Sequence, residues 1–206
     1  MGIVLLPSLS TAIKKNNHAE IQTTQNRSLE FCLLISLPSA VGLYILSKSI
    51  IYILFERGAF LSEDTLYTAS VLSIFAFGLP AYILIKVLVT CFFAREDTKT
   101  PLYVSIASVI TNIVLSLILI QSIREMGIAF ATAISAWLNA LLLYIILKIR
   151  EDIVIDSRLI SNGYKIIICS IVMGITCFYS NLTLFPHMHL HSTIFNIGAL
   201  TLALAV

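Results

Sequence analysis

Lys86 is the only charged residue between Asp64 and Arg95, and it stands nine residues before Arg95. On a helix that separation is roughly 13 Å, beyond the comfortable reach of a side chain stretching for polar headgroups. A cation held at that depth in a bilayer costs about 2.5–3.5 kcal/mol on insertion scales, so it usually faces protein or a water-filled cavity. Two readings follow: a snorkelling lysine with a structural partner, or a cation lining a polar cavity for an anionic substrate.

Other polar side chains fall at helical spacing. Asn112 and Ser116 share one face of a helix, and Thr132, Ser135 and Asn139 share a face of another. Such residues most often tie helices together. The alternative is a monovalent-cation site built from the oxygens of Asn112, Ser116 and Thr132, although neither stretch carries a carboxylate. His187, His189 and His191 alternate, which would suit a metal, yet no cysteine or carboxylate adjoins them and they read as a solvated loop. No metal and no cofactor is expected. Neither a P-loop, G-x-S-x-G, H-E-x-x-H nor a pair of intramembrane aspartates occurs, so nucleotide-driven or hydrolytic catalysis has no visible site and the chain does not read as an enzyme. Pro38 and Pro80 sit inside apolar stretches, where each removes a backbone hydrogen bond. They are either static kinks or bend points of a protein that changes shape.

These residues need helices that span a membrane. The 206 residues are 58% apolar and 12% charged, with a mean hydropathy of +0.96, far from the balance of a soluble domain. A net charge of +2 gives no reason to expect nucleic acid. Apolar length predicts an all-α, polytopic helix bundle with spans near 28–47, 65–94, 102–121, 126–147, 163–182 and 189–206. Before them, Ile3-Val4-Leu5-Leu6-Pro7 reads as the end of a preceding helix, and the last span breaks off within an apolar run, so the chain reads as a fragment. Cys32, Cys91, Cys169 and Cys177 all lie in apolar stretches, and no disulfide is expected.

Local chemistry marks the boundaries. Thr100-Pro101 places a hydroxyl before a proline suited to a helix start, and Ser62-Glu63-Asp64 does the same for the second span. Ile50–Phe55, too short to cross a bilayer, is either an interfacial segment or an extension of the first helix. Of the cations near the ends, Lys14, Lys15, Arg27, Arg95, Lys99, Lys148, Arg150, Arg158 and Lys165 fall in one set of alternate connections, and only Lys48, Arg57 and Arg124 in the other. The positive-inside rule places the first set in the cytoplasm.

Read in order, Leu5–Ser10, Leu37–Leu43, Leu54-Phe55-Glu56-Arg57-Gly58-Ala59-Phe60 and Ala94-Arg95-Glu96-Asp97-Thr98-Lys99-Thr100-Pro101 resemble the MurJ (MviN) family of lipid II flippases. Gly78-Leu79-Pro80-Ala81, Lys86-Val87-Leu88 and Ala136–Leu142 fit the same pattern. The resemblance covers residues 1 to about 150; residues 163–206 match only by position. It implies a fourteen-helix transporter of which this chain holds the end of the eighth helix and the ninth to fourteenth. Residues 1–150 would be part of the C-terminal lobe, and 151–206 an added helix pair beside a lipid groove. The N-terminal lobe, with most of the family's cavity arginines, would lie outside this chain. The implied mechanism is alternating access in the bacterial inner membrane: Lys86 attracts the diphosphate of the lipid-linked disaccharide-peptide precursor, Pro38 and Pro80 shape bending helices, and the lipid tail stays in a groove walled by residues 163–206, with membrane lipids as further partners.

A drug or oligosaccharide exporter of the same superfamily would share the architecture without the Phe55–Phe60 and Arg95–Pro101 motifs, and a non-transporting membrane scaffold is the third reading. A membrane-embedded transferase would need clustered acids, and only Glu30 lies near a span. Orientation is directly testable. Cysteines introduced at 95–100 should resist an impermeant outside thiol reagent in intact cells, whereas one beside Arg57 should react; labelling of the 95–100 turn would invert the topology.

Overall fold

The computed structural model describes residues 9–13, 18–150 and 152–188. Residues 9–13 are helical. Five long helices follow: α1 (His18–Phe55), α2 (Ser62–Ala94), α3 (Lys99–Ile123), α4 (Glu125–Ile149) and α5 (Ser157–Met188). Each is long and apolar enough to cross a membrane. The chain is therefore a multi-pass helical membrane protein. In hydrocarbon, where water cannot satisfy backbone groups, helices close every hydrogen bond within the segment.

Five of the expected spans appear in order, and the sixth, 189–206, lies outside the described residues. The first is far longer than expected. α1 continues unbroken through Ile50–Phe55, so that stretch is a helix extension and not a separate interfacial segment. α5 runs to Met188, which carries His187 into a helix in place of a loop; His189 and His191 fall outside the described residues.

Two helix starts differ from the sequence expectation. α3 begins at Lys99, not at Pro101, because the Asp97 carboxylate accepts from the backbone N–H groups of Lys99 and Thr100 at 3.1 and 3.0 Å. Thr100 is then inside the helix, donating its hydroxyl to Asp97 at 2.6 Å. Pro101 still fits the first turn, where backbone N–H groups have no intrahelical acceptor. α2 begins at Ser62, and the cap is the Asp64 carboxylate reaching back to the Leu61 N–H at 3.0 Å.

In space the helices form a row ordered α5, α1, α2, α4, α3, with α2 only touching α3. Small residues allow the close approach that membrane helices use in place of a hydrophobic driving force. Ala129, Ala133, Ala136 and Ala140 form one buried stripe on α4, and Ala136 and Ala140 pack on Ala81 of α2. Hydroxyls stitch the neighbours: Ser73 donates to Ser47 Oγ (2.8 Å) between α2 and α1, Ser49 to Asn181 (2.6 Å) between α1 and α5, and Ser108 to the Ser135 carbonyl (2.7 Å) between α3 and α4. The main core gathers at one end, where Leu9 and Ala12 pack with Leu88, Phe92, Leu143 and Leu147. The outward side chains of α3, among them Leu102, Ile110, Leu117 and Ile118, are exposed and suit lipid.

Gly127 lets α4 turn tightly back on α3: a Cβ there would stand 2.6 Å from the backbone carbonyl of Leu119. Backbone cannot rotate away as a side chain can, so Gly127→Ala should lower stability by about 1–3 kcal/mol. Thermal melting in detergent measures this, and an unchanged midpoint would mean that the α3–α4 contact is looser than described.

Candidate functional site

Lys86 lies on α2, eight residues before its last residue Ala94, or about 12 Å of helix. Its side chain is exposed, and among the described residues no hydrogen bond or ion pair occupies its ammonium. Leu79, Tyr82 and the exposed Phe75 and Phe93 share its face by helical periodicity, so the cation is alone in an apolar-aromatic strip. Its carbonyl is occupied by the Thr90 hydroxyl at 2.7 Å. The structural partner allowed by one sequence reading is not among the described residues.

Both prolines sit within helices, and the turn before each is served by a side chain. The residue three before Pro38 is Ile35, whose carbonyl accepts the Ser39 hydroxyl at 2.8 Å. The residue three before Pro80 is Phe77, whose carbonyl accepts the indole N–H of Trp137 on α4 at 3.2 Å. The Phe77 and Trp137 rings lie 6.0 Å apart at 44°. Beside this contact an apolar groove of about 340 Å³ runs among α1, α2 and α4, lined by Leu37, Val41, Tyr44, Ala76, Pro80 and Trp137 among others. Gly78 makes room for the Tyr82 ring, which stands 3.1 Å from the position of an added Cβ.

The two motif turns cap opposite ends. At one end, Glu56 accepts the hydroxyl of Thr65 at 2.6 Å, placing a carboxylate near the positive terminus of α2. Arg57 donates to the Ile53 carbonyl at 3.0 Å, closing the end of α1. Gly58 takes φ +62, in the left-handed region that glycine enters freely. At the other end, Arg95 pairs with Asp152 at 3.0 Å and donates to the Asp152 carbonyl at 2.8 Å. Gln25, with its amide set to satisfy both neighbours, bridges Arg95 and the Asp152 carbonyl at 3.1 and 3.2 Å. Arg150 donates to Asp97 at 2.6 Å and to Thr100 at 2.9 Å, and its guanidinium lies 5.8 Å from the Phe92 ring centre. Thr98 precedes α3 without a side-chain cap bond. Glu30, the acid nearest a span, accepts from Asn162 at 2.6 Å and faces Arg158 at 4.0 Å. These bonds tie α1, the α2–α3 turn, the end of α4 and the start of α5 into one knot.

The oxygens considered for a cation are only partly together. Ser116 donates to Asn112 at 3.1 Å on α3, while Thr132 donates to the Ile128 carbonyl of its own helix at 2.8 Å, and no hydrogen bond joins Thr132 to the pair. Sequence reasoning missed Gln25, Asp152 and Asn162 of the knot, whose only signal was polarity near a predicted helix end. It named Trp137 within a motif but gave it no role.

A family model described as "Lipid II flippase MurJ" matches residues 1–197. The chain is 44% identical over 174 residues to a probable lipid II flippase MurJ of Rhizobium tropici, covering 84% of this chain and 33% of that protein. It is 41% identical over 172 residues to the similarly named protein of Rickettsia prowazekii, covering 84% and 34%. A solved structure titled "Lipid II flippase MurJ, inward closed conformation" superposes with a TM-score of 0.75 at 26% identity, over 98% of this chain and 40% of that one. The chain thus spans about a third of the length of the curated relatives it matches.

The Thr100 hydroxyl and backbone, followed by Arg150, hold the Asp97 carboxyl well below its usual range. A depressed folded-state value means that Asp97 contributes stability above its unfolded value of about 3.9 and loses it as pH falls below that point. Asp97→Ala should remove both cap and ion pair, lowering the melting temperature at neutral pH while narrowing the difference from the parent in strong acid. Equal melting of the two proteins at pH 7 would show that the turn is held without it.

Proposed function

This chain belongs to the lipid II flippase MurJ family, and from that membership we propose that it forms one wall of a transporter carrying lipid II from the inner to the outer leaflet of the bacterial cytoplasmic membrane. Residues 1–150 make part of the C-terminal lobe, with 151–206 as the added helix pair, a division supported by the packing of α5 along α1 alone. The mechanism is alternating access, with no covalent bond made or broken. The chain spans about a third of its relatives' length, so the opposing lobe and further cavity cations come from the rest of such a protein.

The single observation that carries the reading is the exposed ammonium of Lys86 within the α2 span, unpaired among the described residues. In a site shielded from bulk water, a fixed cation without a protein partner suits a mobile anion, here the diphosphate of the precursor. The knot at Arg95 and Arg150 consumes its cations internally, which leaves it an anchor of the lobe and not a substrate site. Pro38 and Pro80 place weakened turns in the adjacent helices α1 and α2. The Asn112–Ser116 pair is a fragment of a coupling-cation site at most. A drug or oligosaccharide exporter is the second reading, and the capped turns at Glu56–Gly58 and Arg95–Pro101 favour the flippase because both follow that family's motifs.

The test uses a full-length flippase carrying this segment. Lys86→Ala should weaken lipid II binding by roughly tenfold to a hundredfold, as expected for losing a charge-assisted contact, while Lys86→Arg retains most of it. Binding and translocation equal to the parent at matched protein levels would assign Lys86 a purely structural place.

A further inference from the structure

We infer that Trp137 is a positioning residue: its indole N–H adds a donor from α4 to the Phe77 carbonyl in the turn before the Pro80 bend, so α4 sets the course of the inner half of α2 and with it the place of Lys86. The role in transport rests on the flippase reading; the latch itself does not.

Two proline turns in one molecule supply the comparison. Pro38 and Pro80 lack an N–H, so the carbonyls of Leu34 and Ala76 lose their regular partners, and the steric push of the ring strains the next carbonyl bond as well. At both sites the carbonyl three residues before the proline takes a side-chain donor. After Pro38 comes Ser39, and its hydroxyl serves Ile35 from within α1. After Pro80 comes Ala81, which has no side-chain donor, and the Phe77 carbonyl instead takes the indole of Trp137 from the neighbouring helix. The first bend is self-contained; the second is wired to α4.

The wiring sits behind the transport strip. Residue 77 is nine positions from Lys86, half a turn away in helical phase, so Trp137 grips α2 from the face opposite the lysine. The contact is directional at the indole nitrogen and is backed by the tilted Phe77 ring. The adjacent apolar groove gives the turn space to open or close without driving atoms into packed core. Any change of angle between α2 and α4 must stretch or break this bond, and the lysine beyond the bend moves with it.

The 206-residue chain in detergent tests the latch without substrate. Lys86→Cys is introduced with Cys169, the exposed native cysteine, replaced by serine, and its alkylation rate is followed. Trp137→Phe keeps an aromatic ring but removes the donor, and should change that rate by about threefold or more. Ala81→Ser, supplying a local donor as Ser39 does, should restore the parent rate, and in a Pro80→Ala background Trp137→Phe should have no effect. Multiplicative, independent effects of the two substitutions would overturn the inference. Should Trp137→Phe not fold, exchange of the indole proton decides instead, since this chain has one tryptophan. That proton should exchange about tenfold faster in Pro80→Ala than in the parent, and equal rates would overturn the latch. A failed lipid II assay bears on the transport reading alone.

Discussion

Hydrocarbon offers no hydrogen bonds, and most of this structure answers that constraint. Every backbone N–H and C=O inside the membrane needs a partner from the protein, which restricts the spans to helices and makes each departure from helix visible as a special arrangement. Beside each proline, a serine or a tryptophan donates to the carbonyl three residues before it. Where a helix begins, Asp97 or Asp64 accepts from the exposed N–H groups. Many of the serines and threonines in the spans return their protons to a carbonyl one turn back or cross to a neighbouring helix, as Thr90 and Ser108 do, whereas the buried Ser36 hydroxyl has no partner among the described residues. The polar residues of the spans are therefore largely occupied with the backbone, which is why Lys86 stands out.

The same solvent weakens the force that usually drives packing. Leucine gains little by leaving lipid for protein, so close contact has to come from small residues and from interhelical hydrogen bonds. The alanine stripe of α4 and the glycines facing Leu119 and Val41 provide the first. The knot at one end provides the second, in an environment wet enough to tolerate charge yet partly screened by Phe92 and the chain around it. The row is thus joined at one end by the knot and along its length by small-residue contacts and interhelical hydrogen bonds.

Much of the fold was legible because apolar length is a coarse signal that survives ignorance of packing. Five spans fall where length predicts, while their ends moved: α1 gained ten residues before residue 28 and eight after 47, since helix costs nothing extra once nucleated and polar residues such as Gln22–Arg27 sustain it outside the bilayer. Reading the Thr100 hydroxyl as the cap misplaces the start of α3, where the Asp97 carboxylate captures the N–H groups; at α2 the sequence has carboxylates favouring the helix start, and Asp64 forms the cap bond there. Lys86 was readable from its isolation in the sequence. The Arg95–Asp152–Gln25 knot was not, because it joins residues far apart in the chain, and no local pattern encodes which polar residues meet when five helices stand in a particular order.

That order also explains why the lysine belongs to α2. With α5 and α3 at the edges, α2 is the middle helix of the row and has neighbours on both flanks, α1 and α4. An edge helix can present a charge only towards lipid or along an open margin, where the cost of desolvation is uncompensated. The middle helix has both flanks covered by protein, which leaves its remaining faces as the ones open to other surroundings. The apolar groove and the Trp137 contact lie on the opposite side of α2, so the face carrying the cation is free of the machinery that shapes the helix. The charge stands on one face of α2 and the proline turn with its Trp137 contact on the other, and the cation has no hydrogen bond or ion pair among the described residues.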